Sequence, residues 1–170
     1  MKETGAAAGS AITLDAWTGE VLAVSNYPVF NPNSREALDF SGARNRALTD
    51  AYEPGSTIKT LTLVAALESG QFNIDSSVDT APGRIRVGSK MLHDPRDYGE
   101  ISVSRVIEKS SQVGVTKIAQ AVGYEAILDV LYRFGLGEST GTGFPGERAG
   151  QLPDLVHWSD IEKVTLAFGY

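Results

Sequence analysis

Strand-forming sequence is concentrated at the start of this chain, and that limits the folds it can reach. Ala11-Ile12-Thr13-Leu14-Asp15 and Glu20-Val21-Leu22-Ala23-Val24-Ser25 read as two strands. Between them Ala16-Trp17-Thr18-Gly19 reads as a turn whose glycine can take a positive φ. A lone two-stranded hairpin is marginal in water, so this one is expected to belong to a larger sheet. The rest of the chain reads as helix and loop. Ile58, Leu61, Val64, Ala65 and Leu67 mark a helix from Glu53 to Ser69, stopped by Gly70. Its low charge predicts burial on most sides. Further helices are expected over 103–109, 113–121 and 124–134, and over 159–166 with Ser159 and Glu162 as a capping box. Residues 27–50 read as irregular loop, 74–99 as loop with short extended pieces, and 137–150 as a Gly/Thr-rich stretch. The expectation is a mixed α/β (α+β) chain, an N-terminal β-hairpin plus a mainly helical part, with the rest of the sheet outside this sequence.

Composition narrows the function. At 170 residues and 18.1 kDa the chain has the size of one ordinary domain. It is 42% apolar and 21% charged, as soluble globular proteins are. Fifteen basic residues against 21 acidic ones give a net charge of −6, which argues against nucleic acid as a partner. The longest strongly apolar run, Ile58 to Leu67, is too short to span a bilayer. Cysteine is absent, which removes disulfides, thiolate metal sites and cysteine nucleophiles together. Only His93 and His157 could serve a histidine-dependent site. His93 lies in Lys90-Met91-Leu92-His93-Asp94-Pro95-Arg96-Asp97, read as a polar surface loop, and His157 reads as a packing or capping residue. Glu147 and Arg148 have the charge pattern of a structural ion pair. Residues 1–10 lack the apolar core of a signal peptide and are read as a disordered or expression-derived N-terminus.

Ser56-Thr57-Ile58-Lys59 sets a hydroxyl and an amine three residues apart, on one face of a helical turn. A desolvated lysine loses affinity for its proton, so it can be neutral and deprotonate a serine. Gly55 lets backbone approach a substrate closely, and the helix N-terminus favours developing negative charge. A second reading is open from these residues alone: Ser56 caps the helix and Lys59 reaches to water. Such a pair occurs by chance about once in a chain of this length. Ser110-Ser111 likewise reads, by itself, as a polar helix junction.

The surroundings carry more. Ser-x-x-Lys is a mark of penicillin-binding proteins and serine β-lactamases. The run Arg44-Asn45-Arg46-Ala47-Leu48-Thr49-Asp50-Ala51-Tyr52-Glu53-Pro54-Gly55-Ser56-Thr57-Ile58-Lys59 resembles the active-site entry of the transpeptidase domain in class B penicillin-binding proteins. The hairpin from Leu14 to Ala23, Phe30-Asn31-Pro32-Asn33, Arg133-Phe134-Gly135-Leu136-Gly137, Gly146-Glu147-Arg148-Ala149-Gly150 and Trp158-Ser159-Asp160-Ile161 extend the likeness along nearly the whole chain. These features look most like the division-specific (septal) branch.

The resemblance implies the penicillin-binding protein/β-lactamase-like transpeptidase fold, incomplete here, with residues 11–170 as the N-terminal part of the domain. It implies D,D-transpeptidation of peptidoglycan stem peptides, with Ser56 as nucleophile, Lys59 as general base and Ser110 as proton relay. Gly55, Ser111 and Gln112 are the implied substrate-binding positions. Gln112 departs from the family's Ser-x-Asn pattern, moving the amide one methylene further out. The third family motif, Lys-Thr/Ser-Gly, is missing, since no Thr-Gly here follows a lysine. Removing one oxyanion donor of the kind that motif supplies costs ~10²–10³ in rate, so impaired or absent activity is expected of this length of chain. No metal or cofactor is implied. The implied partners are the D-Ala–D-Ala stem peptide, β-lactam antibiotics and divisome membrane proteins, at the periplasmic face of the cytoplasmic membrane. The alternatives are a β-lactamase or β-lactam sensor of the same fold, or an inactive piece that only binds or supports.

Overall fold

A computed structural model describes residues 2–31, 33, 43–152 and 154–170. Pro32, within the Phe30–Asn33 likeness, and much of the expected 27–50 loop lie outside the described residues. The chain divides into two compact units, Met1–Ala51 with Ser139–Ala149, and Tyr52–Glu138 with Gly150–Tyr170.

In the first unit β1 (Gly9–Leu14) and β2 (Val21–Tyr27) pair antiparallel, with Ile12 opposite Val24. Asp15 closes their turn by accepting the N–H groups of Trp17 and Thr18, both at 2.8 Å. Asn26 then ties the hairpin to the short helix α1 (Arg46–Thr49): its amide donates to Asn45 Oδ1 and its oxygen accepts Ala47 N–H. The Gly/Thr-rich segment is folded around Glu147, whose carboxylate accepts from Thr140 N, Thr140 Oγ1 and Thr142 Oγ1. These hydroxyl donors hold its pKa down to about 2. The expected ion pair between Glu147 and Arg148 is not among the contacts of the described residues; threonine hydroxyls replace the arginine.

The second unit is built on α2 (Ile58–Glu68), which a 3-10 turn, Gly55–Thr57, precedes. It is followed by β3 (Ser77–Asp79), β4 (Arg84–Val87), β5 (Lys90–His93), β6 (Glu100–Ser102), α3 (Val103–Glu108), α4 (Gln112–Val122), α5 (Tyr124–Arg133) and α6 (Asp160–Leu166). The expected helices are all present, the first of them trimmed at its start by the 3-10 turn and the others shifted by a residue or so at their ends. The short extended pieces expected over 74–99 are present as β3, β4 and β5; what the expectation lacked is their pairing, β3 with β6 and β4 with β5, both antiparallel. Strands of three or four residues are shorter than the run over which alternation becomes legible.

Because α2 has apolar residues nearly all round, it is packed on more than one side. Ile58 and Ala65 join Ala119, Ile127, Val130, Leu131, Leu155 and Leu166 in one cluster. Ala66 joins Val78, Val103, Val106, Val115, Ile118, Val164 and Phe168 in the other. Ile127 and Ile118 are almost fully buried, and burying such a side chain contributes about 1.5–3 kcal/mol.

The junction of α3 and α4 shapes the polar interior of this unit. Ser110 N–H donates to Ile107 O and Ser111 N–H to Val106 O, both at 2.9 Å. This is the Schellman pattern, which places Ser110 at the left-handed position usually given to glycine. Its φ is 52°, the one positive value at a non-glycine residue among those described. Gly114, one turn into α4, lets α3 come close: a Cβ there would lie 2.7 and 2.9 Å from the Val106 methyls.

The junction sets the outcome of two substitutions. Gly114→Ala gains about 1 kcal/mol of helix propensity but incurs about 1–3 kcal/mol of overpacking against a branched side chain, so its Tm falls. Adding Val106→Ala reopens that space, and the double variant loses less than the two single losses summed. At Ser110 both Gly and Ala delete the hydroxyl, but only Gly relaxes the backbone. Ser110→Gly should melt above Ser110→Ala by ~1 kcal/mol in thermal denaturation.

Candidate active site

Pro54 leads into the 3-10 turn with Gly55 at φ 65°. Thr57 Oγ1 donates back to Pro54 O at 3.0 Å, and no side-chain bond caps the start of α2. Ser56 is thus not spent as a cap. It is exposed, and its hydroxyl has no hydrogen-bond partner among the described residues. The Gly55 N–H donates to Gly169 O at 3.0 Å, which docks the turn onto the segment after α6.

Lys59, three residues on, faces inward and is only 3% exposed. Its Nζ donates to Ser110 O at 2.5 Å and to Ser110 Oγ at 2.9 Å. Burial pushes its pKa below the ordinary lysine value, and the charge of Asp94 partly opposes that shift. Ser110 can offer both oxygens because its left-handed backbone turns carbonyl and side chain toward the same amine. Backbone strain of this kind is stored where other contacts over-determine it. The structure therefore brings Lys59 to Ser110 directly, while Ser56 stands one helical turn from the amine with its hydroxyl open.

Asp94 supplies much of that over-determination. It follows β5, is 8% exposed, and accepts from Ser111 Oγ at 2.5 Å, Gln112 N at 2.6 Å and Val113 N at 3.2 Å. The carboxylate thus meets orphan N–H groups at the start of α4, where the helix dipole favours negative charge. The reading of residues 90–97 as a polar surface loop holds for Asp97; His93 is exposed but ends strand β5, and Asp94 is buried. No local pattern marks Asp94 out, because its partners lie 17 to 19 positions further along the chain.

Ser111 and Gln112, expected to meet substrate, are placed differently from each other. Ser111 is fully buried: its hydroxyl donates to Asp94 and accepts Gly114 N–H at 2.8 Å as the N-cap of α4. Gln112 is half-buried, with its backbone held by Asp94 and its side-chain amide without a hydrogen-bond partner among the described residues. His157 pairs with Asp154 at 3.1 Å on the surface and takes no part. Chemically, the cluster joins an open hydroxyl, a desolvated amine one turn away, and a second hydroxyl bonded to that amine. Such a set can lose, store and return one proton.

Residues 9–170 match the family model described as penicillin binding protein transpeptidase domain. The peptidoglycan D,D-transpeptidase FtsI of Escherichia coli (strain K12) is 42% identical over 165 residues, which are 97% of this chain and 28% of that protein. The probable peptidoglycan D,D-transpeptidase PbpC of Pseudomonas aeruginosa is 40% identical over 98% of this chain and 29% of its own length. Among solved structures, the apo transpeptidase domain of Burkholderia pseudomallei penicillin-binding protein 3 is similar with a TM-score of 0.86 and 36% identity, covering 99% of this chain and 46% of that one. The chain thus spans less than a third of the length of these two curated relatives. With the family model matched from residue 9 onward and a shared backbone over nearly every residue, the chain belongs to the family of penicillin-binding protein transpeptidase domains.

Proposed function

We propose that this chain carries the acylation centre of a peptidoglycan D,D-transpeptidase acting in septal wall synthesis. The observation that carries the reading is the buried Lys59 amine, lowered in pKa and bonded to Ser110, one turn from an open Ser56. Neutral Lys59 takes the Ser56 proton as Oγ attacks the carbonyl of a D-Ala–D-Ala bond. The protonated amine passes that proton through Ser110 to the nitrogen of the departing D-Ala. An acyl-enzyme remains on Ser56, and an amine from a neighbouring stem peptide resolves it, forming the crosslink and freeing the serine. A β-lactam presents its strained amide to the same Ser56 and is opened by the same steps. Ser111 serves this scheme by holding the Ser110 turn from inside, and Gln112 lends its free amide to substrate. Divisome membrane proteins and the periplasmic face of the cytoplasmic membrane are the setting proposed for the full-length protein. Among the described residues no helix is long and apolar enough to cross a membrane.

Intact-mass spectrometry after incubation with a penicillin tests the scheme. A covalent adduct of the drug's mass is expected, absent from Ser56→Ala and Lys59→Ala; an adduct that persists in Ser56→Ala overturns the assignment of the nucleophile. A long-lived adduct favours transpeptidase over β-lactamase. The acylation rate should also rise with pH as Lys59 loses its proton, with a midpoint below that of an ordinary lysine. The field of Asp94 holds that midpoint up, so Asp94→Asn moves the rising limb to lower pH. A limb that stays in place or moves up contradicts the part given to Asp94.

A further inference from the structure

The turn that carries Ser56 is held from a side the catalytic scheme does not use. After α6 the chain runs Ala167-Phe168-Gly169-Tyr170, and two of its carbonyls reach back to α2 and the turn before it. Ala167 O, one of the orphan carbonyls at the end of α6, accepts from Thr62 Oγ1 at 2.8 Å with both residues fully buried. Gly169 O accepts the Gly55 N–H at 3.0 Å. The backbones touch so closely there that a Cβ at Gly169 would lie 2.2 Å from Gly55 O and 2.6 Å from Gly55 N, and Gly169 is at φ 89°. A side chain at Gly55 would in turn meet the Tyr170 hydroxyl at 3.6 Å. Phe168, packed edge-on to Tyr170 and itself buried, roots this segment in the core.

These contacts fall on the two sides of Ser56, at Gly55 before it and at Thr62 after it, whereas Ser110 bonds α2 through Lys59 and Asp94 is bonded to the start of α4. We infer that the Ala167–Tyr170 segment is a positioning clamp for the nucleophile, in which Thr62 and Gly169 fix the direction of Ser56 independently of the proton-transfer residues. The inference rests on the assignment of Ser56 as the acylated residue. A nucleophile set wrongly by an ångström can cost about 10²-fold in rate without any change in the acid–base groups. Thr62 is a polar residue placed where the helix is otherwise wrapped in apolar side chains, and the Ala167 carbonyl accounts for it. Its conservative change to Val keeps the shape and deletes the bond.

Thr62→Val and Thr62→Ser, compared with the unaltered chain, test the clamp by two readouts taken well below the melting temperature. The first is the acylation rate with a fluorescent penicillin across pH. Thr62→Val should lose about tenfold or more, Thr62→Ser should stay within about threefold of the starting rate, and the midpoint of the rising limb should be the same in all three. The second is hydrogen exchange at the Gly55 amide, which needs no acylation. Protection should drop in Thr62→Val and be retained in Thr62→Ser. Gly169→Ala, where a Cβ meets Gly55 itself, should abolish that protection in any protein that still folds. If the unaltered chain fails to acylate, an acylation centre that works within this length of chain is ruled out, while the exchange experiment still decides on the clamp. Unchanged Gly55 exchange in Thr62→Val, or an acylation loss that comes with a moved pH midpoint, overturns the inference.

Discussion

Burying the amine of Lys59 is the act on which the rest of the second unit depends. An isolated ammonium in an apolar surrounding is costly, and the group answers by losing proton affinity and by finding acceptors. Here the acceptors are the two oxygens of one residue, Ser110. For one residue to supply both, its backbone must enter the left-handed region, which a serine resists. That conformation is available because α3 ends in a Schellman turn and α4 begins at once under an Asp94 carboxylate. Gly114 then lets the two helices close over the junction. Each of these features is explicable alone, but together they converge on a single proton site.

Parts of this are visible in the sequence, and others are hidden for identifiable reasons. Ser56 and Lys59 are legible as a pair because helical spacing is local, but whether the amine turns inward or reaches to water is left open by the residues alone and is decided by the packing around α2. The helix positions are equally legible, since Gly70, Gly135 and the Ser159–Glu162 pair are local signals; Ser159 N–H and Glu162 Oε2 meet at 2.8 Å. The short extended pieces of 74–99 are legible as such, but their pairing is hidden because each is too brief to show a period. Asp94 is hidden because a buried carboxylate and a surface one look alike until the residues that donate to it are brought near. Ser111 reads as a residue facing substrate because a motif says which residues matter, not which way they point. Gly169 is illegible altogether, for its importance lies in the absence of an atom beside Gly55.

Two sets of constraints meet on α2 and divide its labour. One is electrostatic: Lys59, Ser110 and Asp94 decide where a proton resides. The other is a matter of shape: Thr62, Ala167 and Gly169 decide where the Ser56 turn points. The two apolar clusters that α2 joins give both sets a common support, with Ile58 and Ala65 in one and Ala66 in the other.

The apolar wrapping of α2 has a consequence for how the site is lost. A helix with water-facing residues along one side can fray or detach while the remainder of its unit stays folded, and loops that carry function are often drawn from such weak regions. Apart from Thr60, no residue of α2 is exposed until Leu67 and Glu68 at its far end. Opening it would expose both apolar clusters at once, which belongs to global unfolding and not to a local excursion. On warming, α2 therefore stays packed until the cooperative transition, so heat lowers the number of molecules in which Lys59 is held inside without first loosening it in those that remain.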